Sequence, residues 1–260
     1  MEEIVDEIYL KYIDCCKDIL NDKKTFYNFK RDSRYNEILE HVSENLGQQY
    51  LSELIKNYEE YLVKIDWKFI RKNDYLGLPI KYQYNDLSKY VELPDYSFSP
   101  TTFRYLLTGF QIIDHIISLG ISDKKLNFVE IGCGYAGQLY ILSHLVKIFS
   151  IQINKYTCVD LKYPSLVQEK YLKKMCLETN FECSSIENLK IDDQIDFFIS
   201  NYALSCIDIK SQNFYINKII KKSEHGFIIW NKEVIHPFFS KFFIKSEIPQ
   251  TGFANKVILY

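Results

Sequence analysis

The chain has 260 residues, 47% of them hydrophobic and 25% charged, with a net charge of −2. That length holds one sizeable core, alone or with an appendage, and the composition is ordinary for a globular protein without low-complexity tracts. No long basic block is present, which excludes bulk nucleic-acid binding.

The start, Met1-Glu2-Glu3, is acidic and does not read as a signal peptide. The longest apolar tract, residues 139–153, is interrupted by His144, Lys147 and Gln152. It is too short and too polar to span a bilayer. The cysteines Cys15, Cys16, Cys133, Cys158, Cys176, Cys183 and Cys206 form no C-x-x-C pair and no Cys/His spacing that suits zinc. An odd number without a framework favours a reducing compartment. Cys158 and Cys206 lie in apolar runs and read as small core residues. The expectation is a cytoplasmic protein with no membrane span and no metal site.

In chain order, Ile4, Ile8, Tyr12 and Ile19-Leu20 fall on one helical face. Leu51, Leu54, Ile55, Tyr58, Leu62 and Ile65 fit a 3.6-residue period. From 71 to 100 the period fades among Gly77, Pro79, Pro94 and Pro100, which predicts a loop-rich connection with one short strand. Ser99-Pro100-Thr101-Thr102 is a helix start leading into 103–119, and Gly120 closes that helix. From 126 onward the pattern alternates. Strands are predicted at 127–131, 156–160, 181–186, 195–201, 226–230, 243–247 and 256–260. Helices are predicted at 137–149, 165–179, 211–222 and 233–241.

This alternation predicts an α/β fold: a doubly wound, seven-stranded, mostly parallel sheet preceded by an N-terminal helical region. Residues 248–255 are too few for a helical crossover, so the final strand is expected to be antiparallel. The expected division is 1–98 for the helical region and connection, and 99–260 for the α/β core.

Residues 128–137 read Phe-Val-Glu-Ile-Gly-Cys-Gly-Tyr-Ala-Gly. Gly132, Gly134 and Gly137 form a G-x-G-x-x-G between a strand and a helix start, a cradle for a nucleotide-like ligand. Gly132 and Gly134 permit a sharp turn and close approach, and Gly137 permits tight helix packing. Glu130, two residues before the first glycine, points to S-adenosyl-L-methionine rather than a dinucleotide, and it is placed to hold the ligand's ammonium. Asp160 ends the second strand, where a carboxylate accepts from ribose hydroxyls. The interval from Glu130 to Asp160 exceeds the usual spacing, and extra length at 150–155 is expected to absorb it. Glu187, past the third strand, is placed to flank an adenine. Asn201, at the end of the fourth, faces both cofactor and acceptor.

These segments resemble the class I S-adenosylmethionine-dependent methyltransferases, and more narrowly the sugar O-methyltransferases of polysaccharide and glycan gene clusters. The resemblance covers about residue 95 to the end. It is carried by 99–107 with its Arg104-Tyr105 pair, 129–137 at the glycine turn, 156–161 (Tyr-Thr-Cys-Val-Asp-Leu), 199–205 (Ile-Ser-Asn-Tyr-Ala-Leu-Ser) and the tail 247–255. It implies a methyl donor held by 129–137 and by Asp160-Leu161, and a sugar or glycan hydroxyl as acceptor. In that family a Glu often follows the serine matching Ser205, whereas this chain has Cys206.

Methyl transfer to a hydroxyl calls for a base. His236, shortly after the fifth strand, and Asp208, past the fourth, are the candidates. Arg104 is placed to pair with a cofactor carboxylate, because guanidinium matches carboxylate geometry. Tyr135, Tyr202 and Ser205 are candidate acceptor contacts. The N-terminal helices are a candidate surface for self-association. Two other readings stay open: a nicotinamide-dependent oxidoreductase, which Glu130 and the antiparallel ending count against, and a non-catalytic S-adenosylmethionine-binding module, which Cys206 keeps in play.

Overall fold

The predicted strands from 126 onward come together in one seven-stranded sheet. The structure is a computed structural model describing residues 7–190, 194–252 and 254–260. Ile4, of the first helical face, and Phe253, of the tail segment, lie outside the described residues. Among the described residues no helix is long and apolar enough to cross a membrane.

The N-terminal part holds α1 (Glu7–Asn21), α2 (Lys23–Asn28), α3 (Ser33–Asn36), α4 (Glu44–Leu62) and α5 (Trp67–Lys72). Side-chain oxygens of Asp22, Asp32, Ser43 and Asp66 accept from first-turn amides and start four of these helices. Each such cap contributes about 1 kcal/mol. Leu51, Leu54, Tyr58 and Leu62 form the buried stripe of α4, as their period predicts. The loop-rich connection holds two short strands rather than one, β1 (Tyr82–Gln83) and β2 (Ser97–Phe98), paired antiparallel. Ser99 then caps α6 (Pro100–Ser118) through the Thr101 amide, with Pro100 in the first turn, where its missing N–H costs nothing.

The core follows as β3 (Lys125–Ile131), α7 (Gly137–Ile148), β4 (Gln152–Asp160), α8 (Lys162–Lys174), β5 (Phe181–Ser185), β6 (Ile195–Asn201), α9 (Ala203–Cys206), α10 (Ile209–Lys218), β7 (Ser223–Trp230), β8 (Phe243–Ser246) and β9 (Lys256–Leu259). Across the sheet the order is β5-β4-β3-β6-β7-β9-β8. All pairs are parallel except those of β9, which runs antiparallel to both β7 and β8. This doubly wound sheet with one reversed strand is the arrangement that the resemblance to class I methyltransferases implied.

Alternation sorts each strand into two faces. Phe128, Tyr156, Cys158, Phe197, Ile199 and Phe227 face a core shared with α1, α4, α6, α7 and α8. Val129, Ile131, Val159, Phe198, Ile228 and Trp230 face a smaller cluster with Ile216 of α10 and with Phe239.

Several expectations are corrected. The helix at 233–241 is only a 3-10 turn, Pro237–Lys241. The extra length before Asp160 is strand, since β4 begins at Gln152 and a register irregularity at Leu126/Asn127 takes up the mismatch. The strand predicted at 226–230 begins earlier, at Ser223, and so includes His225. Cys206 is exposed, not a core residue, because α9 turns it outward at its last position.

Candidate functional site

Chain order reverses between β3 and β6, because β4 lies on one side of β3 and β6 on the other. Such a switch point opens a crevice beyond the carboxyl ends of the strands. The glycine turn sits there. Gly132 (φ 72°) and Gly134 (φ 58°) are left-handed, a conformation that side chains disfavour. Space is equally restrictive. A Cβ on Gly132 would overlap Ala203 at the start of α9, and one on Gly137 would lie 2.6 Å from ring atoms of Tyr105 and Tyr135.

Glu130, expected at the ligand's ammonium, is 2% exposed and instead points into the larger core, where its Oε2 accepts from the Tyr156 hydroxyl at 2.6 Å. Burial pushes its carboxyl up to about 7, with the Tyr156 hydroxyl opposing. Asp160 ends β4. Its Oδ1 accepts from the Leu161 amide at 2.8 Å, and its Oδ2 accepts from Gln168 Nε2 at 2.9 Å. Burial raises it to about 6 against the pull of Leu161, Gln168 and the turn amides of Cys133 and Gly134. Gln168 Nε2 also donates to the Gly134 carbonyl at 3.0 Å. One α8 side chain thus joins the glycine turn to the end of β4. Leu161 takes part through its backbone. Glu187 is exposed and accepts from Ser185 Oγ at 3.3 Å, beside the end of β5.

On the other side of the switch point, Asn201 Nδ2 lies 3.5 Å from Gln138 Oε1 in the first turn of α7. Tyr202 adopts φ 66°, and its hydroxyl donates to Glu247 Oε1. A non-glycine residue held left-handed stores about 1–3 kcal/mol of strain, which clusters at functional sites. Glu247, 4% exposed, accepts on Oε2 from Thr251 Oγ1 at 2.8 Å and from Asn255 Nδ2 at 2.9 Å. Ser205 Oγ bridges the Tyr202 carbonyl and Asn231 Oδ1. Arg104 Nη2 donates to the Leu39 carbonyl at 3.2 Å. Its guanidinium lies 5.5 Å from the Tyr202 ring centroid and 5.6 Å from that of Tyr105.

Other predicted site residues are placed differently. Tyr135, expected at the acceptor, is fully buried under Lys30, whose Nζ lies 3.9 Å from its ring centroid. Asp208 is the N-cap of α10, accepting from the Lys210 and Ser211 amides at 2.8 and 3.0 Å. The Ser211 hydroxyl and amide hold its carboxyl below the usual range. His236 Nδ1 accepts from the Phe238 amide at 3.1 Å. That bond puts the neutral ring's proton on Nε2 and leaves no free basic lone pair. Both candidate bases are therefore taken up in capping.

Besides the predicted Asn201, residues that local sequence patterns did not single out carry unpaired polar atoms. Among the described residues, buried atoms without a hydrogen-bond partner include Tyr35 OH, Glu40 Oε1, Tyr50 OH, Gln168 Oε1 and Asn201 Oδ1. Leaving such an atom unpaired costs about 1–3 kcal/mol, and each calls for an explanation. Gln168 touches the turn and Asp160. Glu40 acts electrostatically on Arg104, Tyr105 and Tyr135. Burial pushes Tyr50 up to about 12, with Arg104 opposing. Of these residues, Gln168 touches the turn itself, while Asn201 faces Gln138 in the first turn of α7. Among the described residues no group of three or more His, Cys, Asp or Glu side chains is placed to hold a metal ion.

No protein-family model matches the sequence, and no curated protein matches it. Among solved structures, the chain is similar to an S-adenosylmethionine-dependent methyltransferase from Clostridium acetobutylicum, at 14% identity and TM-score 0.39. That match covers 54% of this chain, which spans 56% of the Clostridium protein. It is also similar to a SAM-dependent methyltransferase from Aquifex aeolicus (14% identity, 56% of this chain, 88% of that chain, TM-score 0.40). A third similar structure is the magnesium protoporphyrin IX methyltransferase of Synechocystis with bound SAM (11% identity, 77% and 92% covered, TM-score 0.41).

Proposed function

We propose that this chain is an S-adenosylmethionine-dependent O-methyltransferase whose acceptor is a hydroxyl of a sugar or glycan precursor. The observation that carries the reading is the set of groups gathered at the switch point. A left-handed glycine turn, a buried Glu130 behind it and Asp160 at the neighbouring strand end surround one switch point. In this reading Asp160 and Gln168 take the ribose hydroxyls, Ser185 and Glu187 flank the adenine, and Arg104 takes the carboxylate. The acceptor preference rests on the resemblance stated above.

The bound cofactor supplies a methyl group activated on sulfonium. The protein's tasks are alignment of the acceptor oxygen, exclusion of water and removal of the acceptor's proton. With Asp208 and His236 engaged as caps, Tyr202 and Glu247 are the pair suited to the last task. The Tyr202 oxygen takes the acceptor's proton as its own proton passes to Glu247. The acceptor oxygen gains a methyl group and Glu247 ends protonated. Asn255 and Thr251 fix the carboxylate that receives it.

Calorimetry tests the cofactor assignment. Wild type binds S-adenosylmethionine, and Asp160→Asn weakens binding at least about tenfold by removing a ribose acceptor. Tight binding of NAD with no response to S-adenosylmethionine overturns the reading in favour of an oxidoreductase. Transfer of labelled methyl to a panel of sugars and nucleotide-sugars tests the acceptor, and binding without turnover across that panel favours a binding module. For the proton route, Glu247→Gln lowers kcat about 100-fold with cofactor affinity unchanged. An unaltered kcat removes Glu247 from the chemistry.

A further inference from the structure

Residues 29–43 run across the mouth of the crevice. They comprise the 3-10 turn Phe29–Arg31, α3, and the segment leading to the Ser43 cap of α4. The Leu39 side chain lies on Gly134, where a Cβ would stand 3.0 and 3.1 Å from its two methyl carbons. The Leu39 carbonyl occupies the Arg104 guanidinium. Tyr35 is fully buried, its ring centroid 5.4 Å from that of Tyr12 and 6.5 Å from that of Tyr135. Tyr12 and Cys16 of α1 are close enough to Asp160 for its charge to raise both their pKa values, behind the larger effect of burial. The surface that a ligand over the glycine turn would touch is therefore covered by the chain's own side chains.

That cover is chemically unfinished. Among the described residues, Glu40 Oε1 on the covering segment, and Gln168 Oε1 and Asn201 Oδ1 on the elements beneath and beside it, have no hydrogen-bond partner. A seam meant to stay shut would pair these groups or replace them with apolar ones. Groups left unpaired on both sides of a seam fit a junction that exchanges its contacts for those of a ligand.

We propose that residues 35–40 form a clasp that lifts from Gly134 to admit the cofactor. Arg104 then exchanges the Leu39 carbonyl for the cofactor's carboxylate, and Glu40 receives its ammonium. This rests on the S-adenosylmethionine reading of the preceding subsection. The clasp couples entry to recognition, because the guanidinium that holds the segment down is the group the cofactor needs. Only the open fraction of molecules binds, so weakening the closed state raises apparent affinity and association rate together.

Stopped-flow association of S-adenosylhomocysteine, which carries the same ammonium and carboxylate, tests this on the full chain. Leu39→Ala raises the association rate about tenfold by enlarging the open fraction. Glu40→Gln weakens equilibrium affinity by about tenfold or more, with the association rate unchanged. Hydrogen exchange of the 35–40 amides changes when S-adenosylhomocysteine binds. If wild type binds it, an association rate in Leu39→Ala no faster than wild type, or exchange at 35–40 indifferent to the ligand, overturns the clasp and leaves the cofactor reading standing. Binding by neither wild type nor Leu39→Ala overturns both. Binding by Leu39→Ala alone supports the clasp and shows the wild-type segment to be closed.

Discussion

Glu130 is an acid that the fold holds against its own charge. Burial lifts its carboxyl from 4.5 to about 7, and the Tyr156 hydroxyl recovers only part of that cost. The sign follows from proton linkage. The folded state binds the proton more tightly than the unfolded chain, so this contribution to stability is full below about 4.5 and is lost as pH rises through about 7. The interval corresponds to a penalty on the order of 3 kcal/mol at pH 8. Denaturant melts at pH 5 and pH 8 should show wild type losing about 2–3 kcal/mol more than Glu130→Gln over that range. Equal losses mean the carboxyl is already charged at pH 5.

Among the elements, α1 is joined to α8 by a lysine in addition to its buried apolar face. Lys170 of α8 donates from Nζ to the Ile19 and Leu20 carbonyls at 2.8 and 3.0 Å, at the C-terminal end of α1. Those carbonyls lack partners within the helix and carry the negative end of its dipole. Lys170→Met keeps the apolar stem and removes both bonds. It should cost about 1–2 kcal/mol and speed hydrogen exchange in α1 while the sheet stays protected. Uniform exchange rates in variant and wild type would show that apolar packing alone docks α1. The sheet and its companion helices were legible because each is a local pattern. Residues 195–201 are both predicted and observed as strand. The predicted helix at 233–241 failed for a local reason too: Pro237 disfavours helical backbone at His236, so no helix runs through that pair. The placement of Glu130 in β3, of Asp160 at the end of β4 and of the glycines in the turn between strand and helix was legible from the local pattern. Leu39, Gln168 and Glu247 were not, because each acts on a partner distant in sequence. Arg104 and Leu39 are 65 residues apart, Gln168 and Gly134 are 34, and Tyr202 and Glu247 are 45. Periodicity and spacing hold no record of such pairings.

For the whole molecule, one apolar core runs from Tyr12 and Tyr35 through Leu54 and Phe110 to Phe128, Phe197 and Val257. The covering segment and the crevice beneath it therefore share their packing, and a change at one is felt at the other. The sheet adds a constraint of a different kind. Among the described residues β9, which follows β7 and β8 in sequence, lies between them, and β8 pairs with β9 alone in that sheet. During synthesis β7 must wait with one side bare, and β8 has no sheet to join, until 256–259 emerge from the ribosome. Ile228 and Ile229, which pair with Ile258 and Val257 in the finished sheet, stand at that unfinished border. Bare strand borders invite pairing with other chains, so the nascent protein is most in need of chaperones in the interval between the emergence of β7 and that of β9.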